Sequence, residues 1–215
     1  APIAKTLRPV REESVDFDTT RNLFIEGDNL DALKLLQESY LGKVKLIYID
    51  PPYNTGNDFV YEDDFSESTA EYLERSGQHD AAGERLVANP DSKGRYHSDW
   101  LSMMYPRLKL ARNLLREDGV IAVSIDDIER DNLGKLMDEL FGSENFVDAL
   151  IWKKRYGGGA KERHFVSLHE YVLVYARNLE TLPNLEIALT SESISRYYPS
   201  RDANAAIRGP YRTHP

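Results

Sequence analysis

Four consecutive residues, Asp50-Pro51-Pro52-Tyr53, bring together a carboxylate, two backbone-stiffening residues and an aromatic ring. An aromatic exocyclic amine is a weak nucleophile because its lone pair is delocalised into the ring. The Asp50 carboxylate can accept one of its N–H groups and the Pro51 carbonyl the other. Two acceptors held off the ring plane favour a tetrahedral nitrogen with a localised lone pair. Proline fixes φ and has no N–H, so Pro51 and Pro52 stiffen a backbone that has to present a carbonyl. Tyr53 offers a face on which a flat base can stack. The chemistry that suits this set is alkylation of a base amino group, and such a base must first leave the stack that hides its target atom. Asp-Pro-Pro is also ordinary turn chemistry. A turn, however, requires neither the apolar run Leu46-Ile47-Tyr48-Ile49 before it nor Tyr53-Asn54-Thr55-Gly56 within and after it.

That apolar run reads as a strand buried on both faces of a parallel sheet. In open α/β sheets ligands bind just beyond the carboxyl ends of such strands, which is where the tetrad falls. Upstream, Leu23-Phe24-Ile25 is expected as a short strand. Asp28 is expected to N-cap a helix running to Tyr40 with Asp31 at its third position, and Gly42 to end it before a strand over Val44–Ile49, completing a β-α-β unit. Residues 54–94 form a long, charged excursion that leaves directly from the tetrad. Substrate gating and disorder without a ligand are both consistent with it. The period of Leu101, Met104, Tyr105, Leu108, Ala111 and Leu115 predicts a helix over Ser98–Arg116 that Pro106 kinks or divides and Gly119 ends. Val120–Ile125 is a second buried strand; Asp126-Asp127 at its carboxyl end could touch a ligand, and capping of a helix over Ile128–Phe141 is the preferred reading. Phe146–Trp152 and Tyr171–Ala176 are expected as a strand pair around a basic, glycine-rich loop.

Further groups could touch a ligand. Gly27-Asp28-Asn29 lies at a helix start, and Asp28 can serve as cap and ligand contact at once. Trp152-Lys153-Lys154-Arg155-Tyr156-Gly157-Gly158-Gly159-Ala160-Lys161 combines cations that can neutralise phosphates with rings that can stack on an extruded base. The formal charge of −9 is unevenly spread. Residues 1–150 carry 17 Lys/Arg against 30 Asp/Glu, whereas residues 151–215 carry 10 against 6. Phosphate contact follows local rather than total charge, so the overall negative charge does not exclude nucleic acid. Zero cysteines exclude disulfides and thiolate metal ligands, and the five histidines lack ligand spacing, so no metal is expected. There is neither an apolar signal region nor a run of about eighteen apolar residues, so the expectation is a cytoplasmic protein with no membrane span.

Asp50-Pro51-Pro52-Tyr53 resembles the catalytic motif of amino-methyltransferases that use S-adenosylmethionine, and Asp at its first position is closer to the adenine-N6 than to the cytosine-N4 enzymes. Asn22–Asn29, Tyr72–Gln78, Gly94–Trp100, Tyr105–Arg112 and His169–Tyr175 are similar, in this order, to blocks of the modification (Mod) subunits of type III restriction–modification systems. The resemblance covers residues 22–178. It implies a Rossmann-like α/β fold, a mostly parallel sheet flanked by helices and incomplete in this chain, with an N-terminal arm over 1–21 and the start of a target-recognition region over 179–215. It implies a site-specific adenine-N6 methyltransferase acting on double-stranded DNA with Asp50, Pro51, Pro52 and Tyr53 catalytic. Asp28, Asn29 and Asp50 would lie beside S-adenosylmethionine. Tyr53, Asn54, Lys153, Lys154 and Arg155 would contact the target base or DNA, with Trp152 or Phe165 as the second stacking face. A Mod homodimer and a restriction (Res) subunit are the implied partners. The family's glycine-rich cofactor loop, Phe-x-Gly-x-Gly, has no counterpart here, so the chain is expected to be the N-terminal part of a longer protein. Cytosine-N4 or RNA amino-methylation, or a non-catalytic DNA-binding or assembly module, are the alternatives.

Overall fold

A computed structural model describes residues 5–56, 59–61, 86–88, 96–154, 167–185 and 189–213. Helix α1 (Asn29–Tyr40) starts at Asp28, whose carboxylate accepts the Asp31 amide at 2.8 Å, as the sequence predicts. Strand β1 (Val44–Ile49) leads into the tetrad. A short antiparallel pair, β2 (Phe59–Tyr61) and β3 (Leu86–Ala88), falls within the excursion. Helix α2 (Tyr96–Leu114), strand β4 (Leu115–Ile125) and helix α3 (Arg130–Phe141) follow, then strands β5 (Phe146–Lys153) and β6 (His169–Ala176).

The main sheet has the order β1-β4-β6-β5. β1 and β4 are parallel, as a crossover through α2 requires, whereas β6 runs antiparallel to both β4 and β5. The expected α/β architecture is present, with a mixed sheet in place of a mostly parallel one, because β5 and β6 enter it as an antiparallel pair. Its core lies between one sheet face and helices α2 and α3. Trp100, Met103, Met104 and Leu108 of α2 and Leu133 and Met137 of α3 pack on Ile121, Val123, Ile125 and Leu173. Each such buried apolar side chain is worth about 1.5–3 kcal/mol relative to exposure. Helix α1 packs on α2. No described helix is long and apolar enough to cross a membrane.

Several expectations change. Helix α2 is not divided at Pro106, because its buried face is held along its length. Leu23-Phe24-Ile25 forms no strand, and Leu23 and Phe24 are exposed, since β1 is the sheet edge on that side among the described residues. β1 is therefore not buried on both faces. Leu46 and Tyr48 are 59% and 61% exposed, on the same side as Leu150 and Trp152 of β5, opposite α2 and α3. Asp126 and Asp127 do not cap α3. Asp126 instead accepts the Ile128 amide in a tight turn, and the helix opens two residues later at Glu129.

Gly119 does not terminate a helix but lies inside β4, where the β1 register slips between Val44 and Leu46. A Cβ there would meet the Arg116 and Val44 carbonyl oxygens at 2.9 and 3.0 Å, so only glycine fits the bulge.

Residues Pro183–Pro215 form a second compact unit. Within it Thr190 caps helix α4 (Ser191–Tyr197), Ser200 pairs with Tyr211, and the Arg208 guanidinium sits 4.5 Å over the Tyr211 ring beside helix α5 (Ala205–Arg208).

Gly119→Ala should lower the free energy of unfolding by about 1–3 kcal/mol in denaturant titrations, because the colliding atoms are backbone and cannot rotate away.

Candidate active site

The chain leaves the sheet where Ile49 pairs with Val123. Asp50 is exposed, Pro51 is buried, Pro52 and Tyr53 are half-buried, and Asn54 has no exposed surface. The turn is held from behind. The Trp100 indole N–H, itself buried in the core, donates to the Pro52 carbonyl at 2.7 Å. Asn54 takes a left-handed backbone conformation, φ 62°, which a short amide side chain tolerates better than most. Its Nδ2 donates to Glu129 Oε1 at 2.5 Å and to the Tyr96 carbonyl at 3.4 Å. Two prolines, one indole and one amide thus fix the path of four residues. Asn54, expected among the base contacts, is buried against Glu129 instead of facing a ligand.

The front of the turn meets the side of the sheet away from α2 and α3. Ser124 and Glu170 lie on that side by register, and the Tyr48 hydroxyl is hydrogen-bonded to Ser124 Oγ. Burial of the Tyr53 phenol, followed by the negative charges of Asp50 and Glu170, pushes its ionisation well above the ordinary tyrosine range. Tyr53 therefore stays a neutral ring at any physiological pH. Asp50, Tyr53, Ser124 and Glu170 come together at the carboxyl ends of β1 and β4, with Asp50 exposed and Ser124 buried.

The remaining sequence-predicted residues fall in three places. Asp28 and Asn29 begin α1 and rest on α2 through Arg107, which is buried. Arg107 Nε donates to Asn29 Oδ1 at 2.6 Å and Nη2 lies 3.9 Å from Asp28 Oδ2. Arg107 follows Trp100 by seven residues, two helical turns or about 10 Å along one side of α2. One helix therefore supports both the tetrad and the Asp28-Asn29 corner. Trp152 and Lys153 end β5, three strand spacings or about 14 Å from β1. Trp152 is 63% exposed opposite Glu170, and Lys154 Nζ lies 3.6 Å from Glu170 Oε2. Glu170 thus links the Lys154 end of the sheet to Tyr53. Arg155 and Phe165 lie outside the described residues.

Sequence reasoning missed Trp100, Arg107, Glu129, Ser124 and Glu170. Arg107 had a signal, a cation on the otherwise apolar side of an amphipathic helix. Glu129 had none, because Asp126 and Asp127 are equally good capping residues in the string.

A DNA methylase family model, that of the N6/N4 methyltransferases, matches residues 44–213. The chain belongs to this DNA methylase family. It is 46% identical over 160 residues to the Mod subunit of the type III restriction-modification enzyme EcoPI of Escherichia phage P1, covering 74% of this chain and 25% of that protein. It is 44% identical over 180 residues to the StyLTI Mod subunit of Salmonella typhimurium strain LT2, covering 83% and 27%. The chain spans about a quarter of the length of these family members. Among solved structures, PvuII DNA methyltransferase (cytosine-N4-specific) superposes with a TM-score of 0.44 at 13% identity over 86% of this chain and 62% of that one, too loosely to bear on the reaction.

Trp100→Phe keeps the ring but strands the Pro52 carbonyl, and should cost about 1–3 kcal/mol of stability in thermal or denaturant melts. The ultraviolet phenolate titrations of wild type and Tyr53→Phe should coincide up to about pH 11, a unit past the usual tyrosine value, because Tyr53 ionises above the ordinary tyrosine range.

Proposed function

We propose that this chain is the catalytic part of a DNA adenine-N6 methyltransferase that uses S-adenosylmethionine, belonging to the modification subunit of a type III restriction–modification system. The observation that carries this reading is the placement of Asp50-Pro51-Pro52-Tyr53 at the end of a parallel strand, with its backbone pinned behind and its acid and ring in front. Identity to Mod subunits supports the adenine and restriction–modification assignment.

The chain's own groups divide the work. Asp50 accepts one N–H of the extruded base's amino group. With the Pro52 carbonyl occupied by Trp100, the Pro51 carbonyl is the acceptor for the other. Together they localise the nitrogen lone pair, and Asp50 is placed to take the proton that the methylated nitrogen sheds. The neutral Tyr53 ring stacks on the base, with Trp152 or Phe165 as the opposite face. Lys153, Lys154 and Arg155 neutralise phosphates of double-stranded DNA. S-adenosylmethionine, when bound, supplies an electrophilic methyl group on a sulfonium. The fit on this chain's side is electrostatic, since Asp28 and the exposed Asp50 are anionic and the cofactor carries a sulfonium and an ammonium, with Asn29 beside them. A second Mod copy and a restriction subunit are the partners of such a subunit.

The full-length protein, incubated with S-adenosylmethionine and duplex DNA, should yield N6-methyladenine by mass spectrometry of the digested nucleosides. Asp50→Ala and Tyr53→Ala should each reduce turnover by about 10³-fold or more with the fold retained, as expected when the groups that hold the reacting atom are removed. Undiminished turnover by Asp50→Ala would exclude the mechanism. The family spans N6 and N4 chemistry, so N4-methylcytosine in the digest would establish the cytosine reading instead.

A further inference from the structure

Glu129 has no exposed surface. It occupies the N-cap of α3, yet its carboxylate accepts no backbone amide of the first turn. Its oxygens go elsewhere. Oε1 receives Asn54 Nδ2 at 2.5 Å and His97 Nδ1 at 2.7 Å, and Oε2 receives the side-chain amide of Asn132 at 2.8 Å. A buried carboxylate needs such partners, and the positive end of α3 favours its charge further. The identity of the partners is the informative part. Asn54 is the residue directly after the tetrad, where the chain departs into the excursion, and His97 stands where it returns. The Tyr96 carbonyl, next to His97, also accepts from Asn54. One oxygen therefore holds both stems of the excursion to the post formed by the end of β4 and the start of α3.

We propose that Glu129 is a positioning residue for the methyl-transfer turn: by clamping Asn54 and His97 to one carboxylate it fixes the geometry of Asp50, Pro51 and Tyr53. This rests on the functional reading above and assigns Glu129 no contact with substrate. The clamp works because Asn54 and His97 both donate to the one oxygen, Oε1, whose negative charge strengthens both bonds. Glutamine at 129 removes that charge and leaves its NH2 either against these two donors or against Asn132, whose amide must then turn to accept. A turn anchored this way loses transfer rate rather than affinity when it slackens, since misplacement of about 1 Å at the reacting atoms costs on the order of 10²-fold.

The experiment compares full-length wild type with Glu129→Gln, Asn54→Gly and the double variant. Glycine suits the left-handed backbone at 54, so Asn54→Gly removes the tether without straining the turn. Amide hydrogen exchange is read over Tyr53–Gly56 and over β4 and β6 as an internal reference, alongside kcat and KM for DNA methylation. The expected result is exchange at Tyr53–Gly56 faster by about 10-fold or more in each variant with β4 and β6 unchanged, and kcat lower by about 10–100-fold with KM moved less than about 3-fold. The double variant should lose no more than the worse single, since both changes cut the same tether. Wild-type exchange and kcat in folded Asn54→Gly overturn the proposal, as do losses that multiply in the double variant. Should Glu129→Gln fail to fold, Asn54→Gly alone decides. A wild-type protein that methylates no DNA defeats the functional reading, while the exchange comparison still decides whether the clamp exists.

Discussion

The site depends on the rule that a buried polar group must find a partner. The Pro52 carbonyl, the Asn54 amide and the Glu129 carboxylate all lie against or inside the core, and each is satisfied by one of the others or by Trp100. Left unpaired, such a group costs about 1–3 kcal/mol, a sizeable share of the stability of an ordinary domain. The turn is therefore held by the packing of α2 and α3 rather than by its own sequence alone. Proline supplies stiffness at two positions, but a stiff turn can still pivot. The bonds at Pro52 and Asn54 remove that freedom.

The same two helices explain why the tetrad presents its acid outward. Everything apolar on one face of the sheet is covered by α2 and α3, and the turn's backbone is drawn toward that face. Asp50 is left exposed, and Tyr53, its ring half-buried against the core, turns its phenol toward Ser124 and Glu170. Burial of the Tyr53 phenol, with the negative charges of Asp50 and Glu170 next to it, raises its ionisation above the ordinary tyrosine range. Helix α2 is the common support. Trp100 holds the tetrad, and two turns later Arg107 holds Asn29 and Asp28, so the tetrad and the Asp28-Asn29 corner share one support.

Much of this was legible in the amino-acid string. The tetrad, the strand before it, the Asp28 cap and helix α1, the amphipathic α2 and the β4 and β6 strands all carry local signals, and the structure has them. The failures share a cause. Leu23-Phe24-Ile25 has strand composition, but a strand exists only where a neighbour pairs with it. Pro106 can divide a helix or kink it, and packing along one face leaves this one undivided. Gly119 looks like a stop signal in a string and is a bulge residue in a sheet, a distinction set by the Val44 carbonyl across the gap. Asn54 looked like a ligand contact because it adjoins the tetrad, yet its side chain is the anchor beneath it.

Residue chemistry within a few positions of Asp50 determined what kind of reaction this protein's family performs, because an acid, two prolines and an aromatic ring act over lengths shorter than one turn of helix. Which groups stand behind that reaction was decided only by the fold. Glu129 lies 75 residues from Asn54 in sequence and 2.5 Å from it in space. No periodicity or spacing along the chain encodes that contact. It exists because β1 and β4 pair in parallel, which brings the loops after both strands to the same end of the sheet.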